Sequence, residues 1–287
     1  MALIVVAVLV LVYFFVGSQS FQTFTESHLT FASFFLNPRN DSATQFGILV
    51  YIIGSLSLIA LVLLISVPFS IAVAVFLSEV CPYRLRAPLR AIVELFLGIP
   101  SIIFGLIGLL VVIPAVAGVL NALAGGIFYP GDGIIPAVIV VTFMVLPTIT
   151  TIAYDALQAV PQDLREGSLA LGATRWQTIR RVLLPASLPG LTTAAILGIA
   201  RALGETVAVA FVIGNGLNYP ISLLPVYPHI GIGPTSVLTV LLLFNFAEAL
   251  PHTTVNNTLW TVSFILLAMS AILVGISRMA SRRRIYA

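Results

Sequence analysis

Five apolar runs of more than twenty residues dominate this chain: Ile48 to Leu77, Ile92 to Ala117, Ile134 to Tyr154, Leu188 to Ile213 and Thr258 to Met279. A helix rises about 1.5 Å per residue, so each run is long enough to cross a hydrocarbon core of about 30 Å. A sixth run, Leu3 to Val16, begins almost at the first residue and is short for a span. It shows neither the basic n-region nor the small-residue cleavage site of a signal peptide. It is expected to be a first span in a chain that is shorter at its N-terminus than its relatives, or the start of a truncated sequence. Hydrophobic residues make up 60% of the 287 and charged residues 8%, against about 25% charged in a soluble domain. These features describe an all-α integral membrane protein with six transmembrane helices.

The charges orient it. All thirteen basic residues are arginine. With six spans and both termini in the cytoplasm, eleven of them share one side: Arg84, Arg86, Arg90, Arg165, Arg175, Arg180, Arg181, Arg278, Arg282, Arg283 and Arg284. That is the positive-inside pattern of a multi-pass cell-membrane protein. Arg39 falls outside and Arg201 falls within a span. Ser18 to Gln45, Val119 to Gly133 and Asn215 to Asn257 are then external. Ser236 to Leu250 is apolar, but at about 1.5 Å per residue it reaches only about 22 Å, so it reads as a re-entrant or surface-lying helix. Pro68 predicts a kink in the second span, and Gly98, Ser101, Gly105 and Gly108 predict close helix approach in the third.

The same inventory excludes several functions. A P-loop needs a lysine, and the chain has none, so ATP would have to be bound elsewhere. The arginines flank apolar spans rather than forming one patch, which argues against nucleic acid. Cys81 is the single cysteine, and His28, His229 and His252 are far apart, so neither a disulfide nor a metal site is expected. No nucleophile motif or paired carboxylates suggest catalysis. The chain is expected to be a non-enzyme that binds no cofactor and lies among membrane lipid.

Two segments carry function. Asp155 to Arg181 is the longest basic segment. Within it Asp163 is placed to cap a helix, Glu166 to sit in its first turn, and Gly172 to break it from a second short helix. Leu164, Leu169, Ala170 and Leu171 give one apolar side, continued by Trp176, Ile179 and Leu183. Pro185 and Pro189 are expected to end the segment and start the fifth span. Within that span Arg201 lies about 15–21 Å deep when counted from Pro189 to Leu191, near the midplane. An arginine there costs at least about 2.5–3.5 kcal/mol and requires a partner or a wet cavity. Glu205 is one helical turn further on and can pair with it. The pair reads either as a structural ion pair or as an anion site, since a guanidinium matches two oxygens of an oxyanion in a fork. Thr192, Thr193, Thr206 and Asn215 are available for further contacts. Glu94, beside three arginines, is expected to pair with one, and Glu248 is a candidate to cap or line the outer vestibule.

The spacing Glu166, Gly172, Val182-Leu183-Leu184-Pro185 resembles the EAA loop of ABC importer permeases. Gly167 and Ser168 replace its two alanines and Val182 its isoleucine. RALGETVAVAFVIGN, with ELFLGIPSIIFGL upstream and FAEAL near the C-terminal side, is similar to the PstC-type permeases of phosphate importers. The resemblance covers Ile48 to the C-terminus. It implies a type I importer permease fold over residues 48–287, preceded by a first helix and external loop in 1–47. It implies cytoplasmic coupling helices within about 163–181, with Glu166, Gly167, Ser168, Leu169 and Gly172 contacting an ATP-binding subunit. Arg201 and Glu205 match that family's intramembrane charged pair on the substrate pathway. The implied partners are a sister PstA-type permease, an ATPase dimer and an external phosphate-binding protein, and the implied cargo is phosphate. A permease for tungstate, molybdate or sulfate, and a stand-alone secondary transporter, remain the alternatives.

Overall fold

The computed structural model describes residues 1–26, 34–35, 47–123, 131–214, 237–246 and 254–285. Arg39, Asn215, Glu248 and the three histidines lie outside them. The described residues form helices and no strands. They are α1 (Ala2–Glu26), α2 (Leu49–Val75), α3 (Tyr83–Leu97), α4 (Ser101–Ile107), α5 (Ile113–Leu123), α6 (Ile134–Gln158), α7 (Gln162–Ala170), α8 (Arg175–Thr178), α9 (Leu184–Gly204), α10 (Val207–Val212), α11 (Leu238–Asn245) and α12 (Thr254–Ile285). Three π-helical turns extend or join them, at Phe76–Val80 after α2, Gly108–Val112 between α4 and α5, and Ile179–Leu183 between α8 and α9.

Six of the resulting continuous helices are long and apolar enough to cross a membrane: Leu3–Thr25, Tyr51–Val80, Ser101–Ala122, Ile134–Gln158, Arg175–Gly204 and Asn256–Met279. The number matches the expectation and several boundaries do not. The first span continues through Ser18 to Thr25, a stretch assigned above to the external loop, and so reaches full length. The third span starts at Ser101, not Ile92. Pro100 cannot donate a backbone hydrogen bond and its predecessor avoids helical dihedrals, so the chain breaks at Gly98 to Pro100. Tyr83–Leu97 is a separate amphipathic helix with no buried residue. The eight residues of α11 are too few to span, in keeping with the six-span count.

The chain divides into two compact units. The first comprises Met1–Leu58, Gly105–Val138 and Gly204–Ile272. Its core is built from Phe34, Ile48, Tyr51, Leu238, Leu241, Leu259 and Val262, which encloses the N-terminal half of α11. Hydroxyls join α1 to α12: Thr23 Oγ1 donates to the Asn257 carbonyl at 2.5 Å, and Ser20 Oγ donates to Thr261 Oγ1 at 3.2 Å. Gly105 meets Ala208 and Phe211 of α10, where a Cβ would stand 3.0 and 2.7 Å from their atoms. That close approach was expected of Gly105.

The second unit comprises Ile59–Phe104, Ile139–Leu203 and Leu273–Ala287. Val141, Val145, Ile149, Ala153 and Leu157 of α6 recur at helical spacing and are fully buried. Two glycines of α9, neither singled out in the sequence, receive that face. A Cβ at Gly190 would collide with Ala156, and one at Gly198 would stand 2.5 Å from Ile149 Cδ1. Ser70 Oγ of α2 donates to the Leu146 carbonyl at 3.1 Å, beside Pro147.

Candidate functional site

The basic segment folds as two short helices around a glycine turn. Gly172 has φ +85°, a left-handed conformation that a side chain resists, and its surroundings are open. Asp163 does not cap α7; the capping position is Pro161, and Asp163 lies in the first turn, where the helix dipole favours it. Glu166 accordingly falls in the second turn. Thr174 starts α8 with a reciprocal capping box: its hydroxyl accepts from the Gln177 amide at 3.3 Å, and Gln177 Oε1 accepts from the Thr174 amide at 2.8 Å. Ser168 and Thr178 hydroxyls meet at 3.0 Å and tie the two helices together. Replacing Thr174 by Ala is expected to cost the helix start about 1 kcal/mol. Amide exchange at Gln177 should quicken roughly fivefold, while Thr174→Ser leaves it unchanged.

This second helix does not stop at the prolines. It runs from Arg175 through Pro185 and Pro189 to Gly204. The π-helical turn just before Pro185, where the Leu184 amide reaches back to the Ile179 carbonyl, gives the proline ring room. The apolar side chains also divide differently from the expected single face. Ile179 and Leu183 are buried, whereas Leu164, Leu169, Leu171 and Trp176 are exposed, Leu171 at 90%. No residue of α7 is buried. Glu166, Gly167, Leu169 and Gly172 are all exposed, and Ser168 is partly so. Such a patch outside the apolar spans is the kind of surface that another protein covers.

A polar cluster beneath α7 was not foreseen, because its members are distant in sequence. Arg165 donates to Glu79 Oε1 at 2.5 Å and to the Leu157 carbonyl at 2.6 Å. Ser78 Oγ donates to Glu79 Oε1 at 2.7 Å, Gln158 Nε2 donates to Ser78 Oγ at 3.0 Å, and Arg86 donates to the Ser78 carbonyl at 2.7 Å. Glu94 pairs with an arginine as expected, but within α3: Arg90 Nε is 2.6 Å from Glu94 Oε1 and its Nη2 is 3.2 Å from Asp155 Oδ1. Arg90 also lies 4.8 Å over the Tyr154 ring. The hydrogen bond to Glu94, with Asp155 adding to it, holds the Arg90 guanidinium above its usual pKa.

The fifth span ends where the charged pair was placed. Arg201 occupies the last turn of α9, where unsatisfied carbonyls favour a cation. The helix stops at Gly204, and Glu205 and Thr206 are non-helical before α10 begins at Val207. Glu205 is therefore not one turn along the same helix, and the helix that carries Arg201 does not begin near Pro189, so the depth counted from there no longer applies. Arg201 belongs to the second unit and Glu205 to the first. In the first unit the Glu205 carbonyl accepts from Thr239 Oγ1 of α11 at 3.5 Å. Thr192 and Thr193 both donate to the Pro189 carbonyl, and Thr206 donates to the Gly204 carbonyl. Broken backbone among apolar spans is tolerated where protein buries it or a wet cavity lines it.

Residues 66–285 match the family model described as "Binding-protein-dependent transport system inner membrane component". The chain belongs to this family. Relatives extend the match to nearly its whole length. The permease is 39% identical over 287 residues to "Probable ABC transporter permease protein YqgH" of Bacillus subtilis, covering 99% of this chain and 88% of the relative. It is 34% identical over 278 residues to "Phosphate transport system permease protein PstC" of Mesorhizobium japonicum, covering 92% and 81%. Among solved structures, a bacterial ABC transporter involved in the import of the acidic polysaccharide alginate superposes with TM-score 0.65 at 18% identity, over 99% of this chain and 93% of that one. An inward-facing MetNI methionine ABC transporter gives TM-score 0.53 at 24% identity, over 80% and 90%. At these identities the two structures show the fold, which is that of type I ABC importer permeases. The chain is thus a multi-pass, non-catalytic permease subunit of an ABC importer.

Proposed function

We propose that this permease forms half of the translocation pore of an ATP-driven phosphate importer, with both termini in the cytoplasm. The observation that carries the reading is the helix break at Glu205–Thr206, next to Arg201, in a chain whose relatives include phosphate permeases. Arg201 offers a fork of donors to two phosphate oxygens. Glu205, four residues on in the sequence, is the carboxylate of this pathway. It accepts a hydrogen bond from the protonated oxygen of hydrogen phosphate, which sulfate does not offer. Contacts of this kind must stay weak enough for the anion to leave.

An external phosphate-binding protein delivers the anion to the mouth that this permease forms with a sister PstA-type subunit. ATP-driven closure of a dimeric ATPase moves the segment Asp163 to Arg181, whose exposed residues Glu166, Gly167, Leu169 and Gly172, with Ser168 behind them, form the contact. The name of the Bacillus relative specifies no substrate, which keeps a second oxyanion as the rival cargo. Radiolabelled phosphate uptake by cells that depend on this chain decides between them. Uptake that requires ATP and resists sulfate, molybdate and tungstate is the expected result. Displacement by one of those anions replaces the cargo and leaves the permease assignment standing.

A further inference from the structure

We propose that Arg165 is a positioning residue that locks α7 to the C-terminal ends of the second and fourth spans, so that a push on α7 reaches both spans together. The inference rests on α7 being the element that an ATPase subunit engages. Three observations lead to it. First, α7 buries no residue, so apolar packing does not fix its orientation. Second, Arg165 reaches inward from it with one arm to Glu79, in the π-helical turn that ends the second span, and the other to the Leu157 carbonyl in the last turn of α6. The Arg165 and Glu79 side chains are only 19% and 15% exposed, so water screens the pair weakly. Third, the same two span ends are already cross-linked beneath the arginine, because Gln158 donates to Ser78 and Ser78 donates to Glu79.

The geometry demands an arginine. A planar guanidinium holds a carboxylate and a carbonyl at the same time, each with its own N–H. An ammonium on a flexible stem reaches one acceptor well and leaves the other. Lysine at this position keeps the charge but holds only one of the two acceptors at a time, which frees α7 to pivot against both spans. A plain fold staple would tolerate that loss. A part that transmits displacement would not.

The test uses the complete importer, reconstituted with its ATPase and binding protein. Spin labels are placed at two exposed positions, Asp163→Cys in α7 and Tyr83→Cys at the start of α3, with Cys81→Ser to remove the native thiol. Distances are measured with and without trapped nucleotide. In the chain with native Arg165 one narrow distance should persist through both states. In Arg165→Lys and Glu79→Gln it should broaden once nucleotide binds, and phosphate carried per ATP hydrolysed should fall about five- to tenfold. A distance that already shifts with nucleotide while Arg165 is present overturns the proposal, and so does an Arg165→Lys complex that transports as the unaltered one does. If Glu79→Gln fails to assemble, the lysine variant decides alone. The label distances require no transported anion. They judge the lock even where phosphate proves not to be the cargo, and absence of phosphate uptake by the unaltered importer overturns only the substrate reading.

Discussion

Phosphate uptake is expected to fall about ten- to a hundredfold in Arg201→Gln, with the importer still assembled in the membrane. The estimate follows from losing a charge-assisted hydrogen bond of about 1.5–3 kcal/mol. Glutamine is near the arginine stem in length and adds no charge, so the loss reports the guanidinium and not a cavity. Assembly should survive because Arg201 is partly exposed and sits in the last turn of α9, where the helix does not depend on its side chain. Arg201→Lys should recover part of the uptake, since the cation persists while the fork does not. Uptake unchanged in Arg201→Gln would remove this residue from the pathway. Uptake lost together with the protein would make the arginine a structural partner instead.

Gly190→Ala is expected to be the most damaging single-methyl change in the second unit. Its new Cβ would meet the Cβ and Cα of Ala156 on α6, and neither atom has a torsion through which to retreat. Only a shift of one helix relieves the overlap, at about 1–3 kcal/mol for an overpacked core. Gly198→Ala supplies the internal comparison. Its Cβ would press on the tip of Ile149, a flexible end that can change rotamer. The solubilised importer should therefore lose thermal stability more in the first variant than in the second. Equal losses would mean that α6 and α9 yield as easily at Ala156 as at Ile149.

The two outcomes concern residues that were legible to different degrees. Arg201 stands out in any hydropathy profile, because a charge inside an apolar run is costly enough to be rare. Gly190 does not, since a glycine beside two prolines reads as a helix start. The start of that helix is marked by Thr174-x-x-Gln177, a capping-box spacing that the nearby prolines overshadow. The usual penalty of Pro185 is lifted by the π-helical turn at Ile179–Leu183. The third span was drawn too long for a related reason. Ile92 to Leu97 is apolar enough to belong to it, and only Pro100 marks where the amphipathic α3 ends and the span begins.

The sequence by itself determined that this chain lies in a membrane and that it crosses six times. Those properties follow from local composition, because lipid forces each span to satisfy its own backbone and charge bias orients the loops. Only the tertiary structure decided which side chains hold the segments together. Arg165 and Glu79 are 86 positions apart, and Gly190 and Ala156 are brought together across two intervening short helices. No periodicity links such residues. Their meeting is set by how helices approach, which depends on the shapes of whole faces and not on any one stretch of sequence.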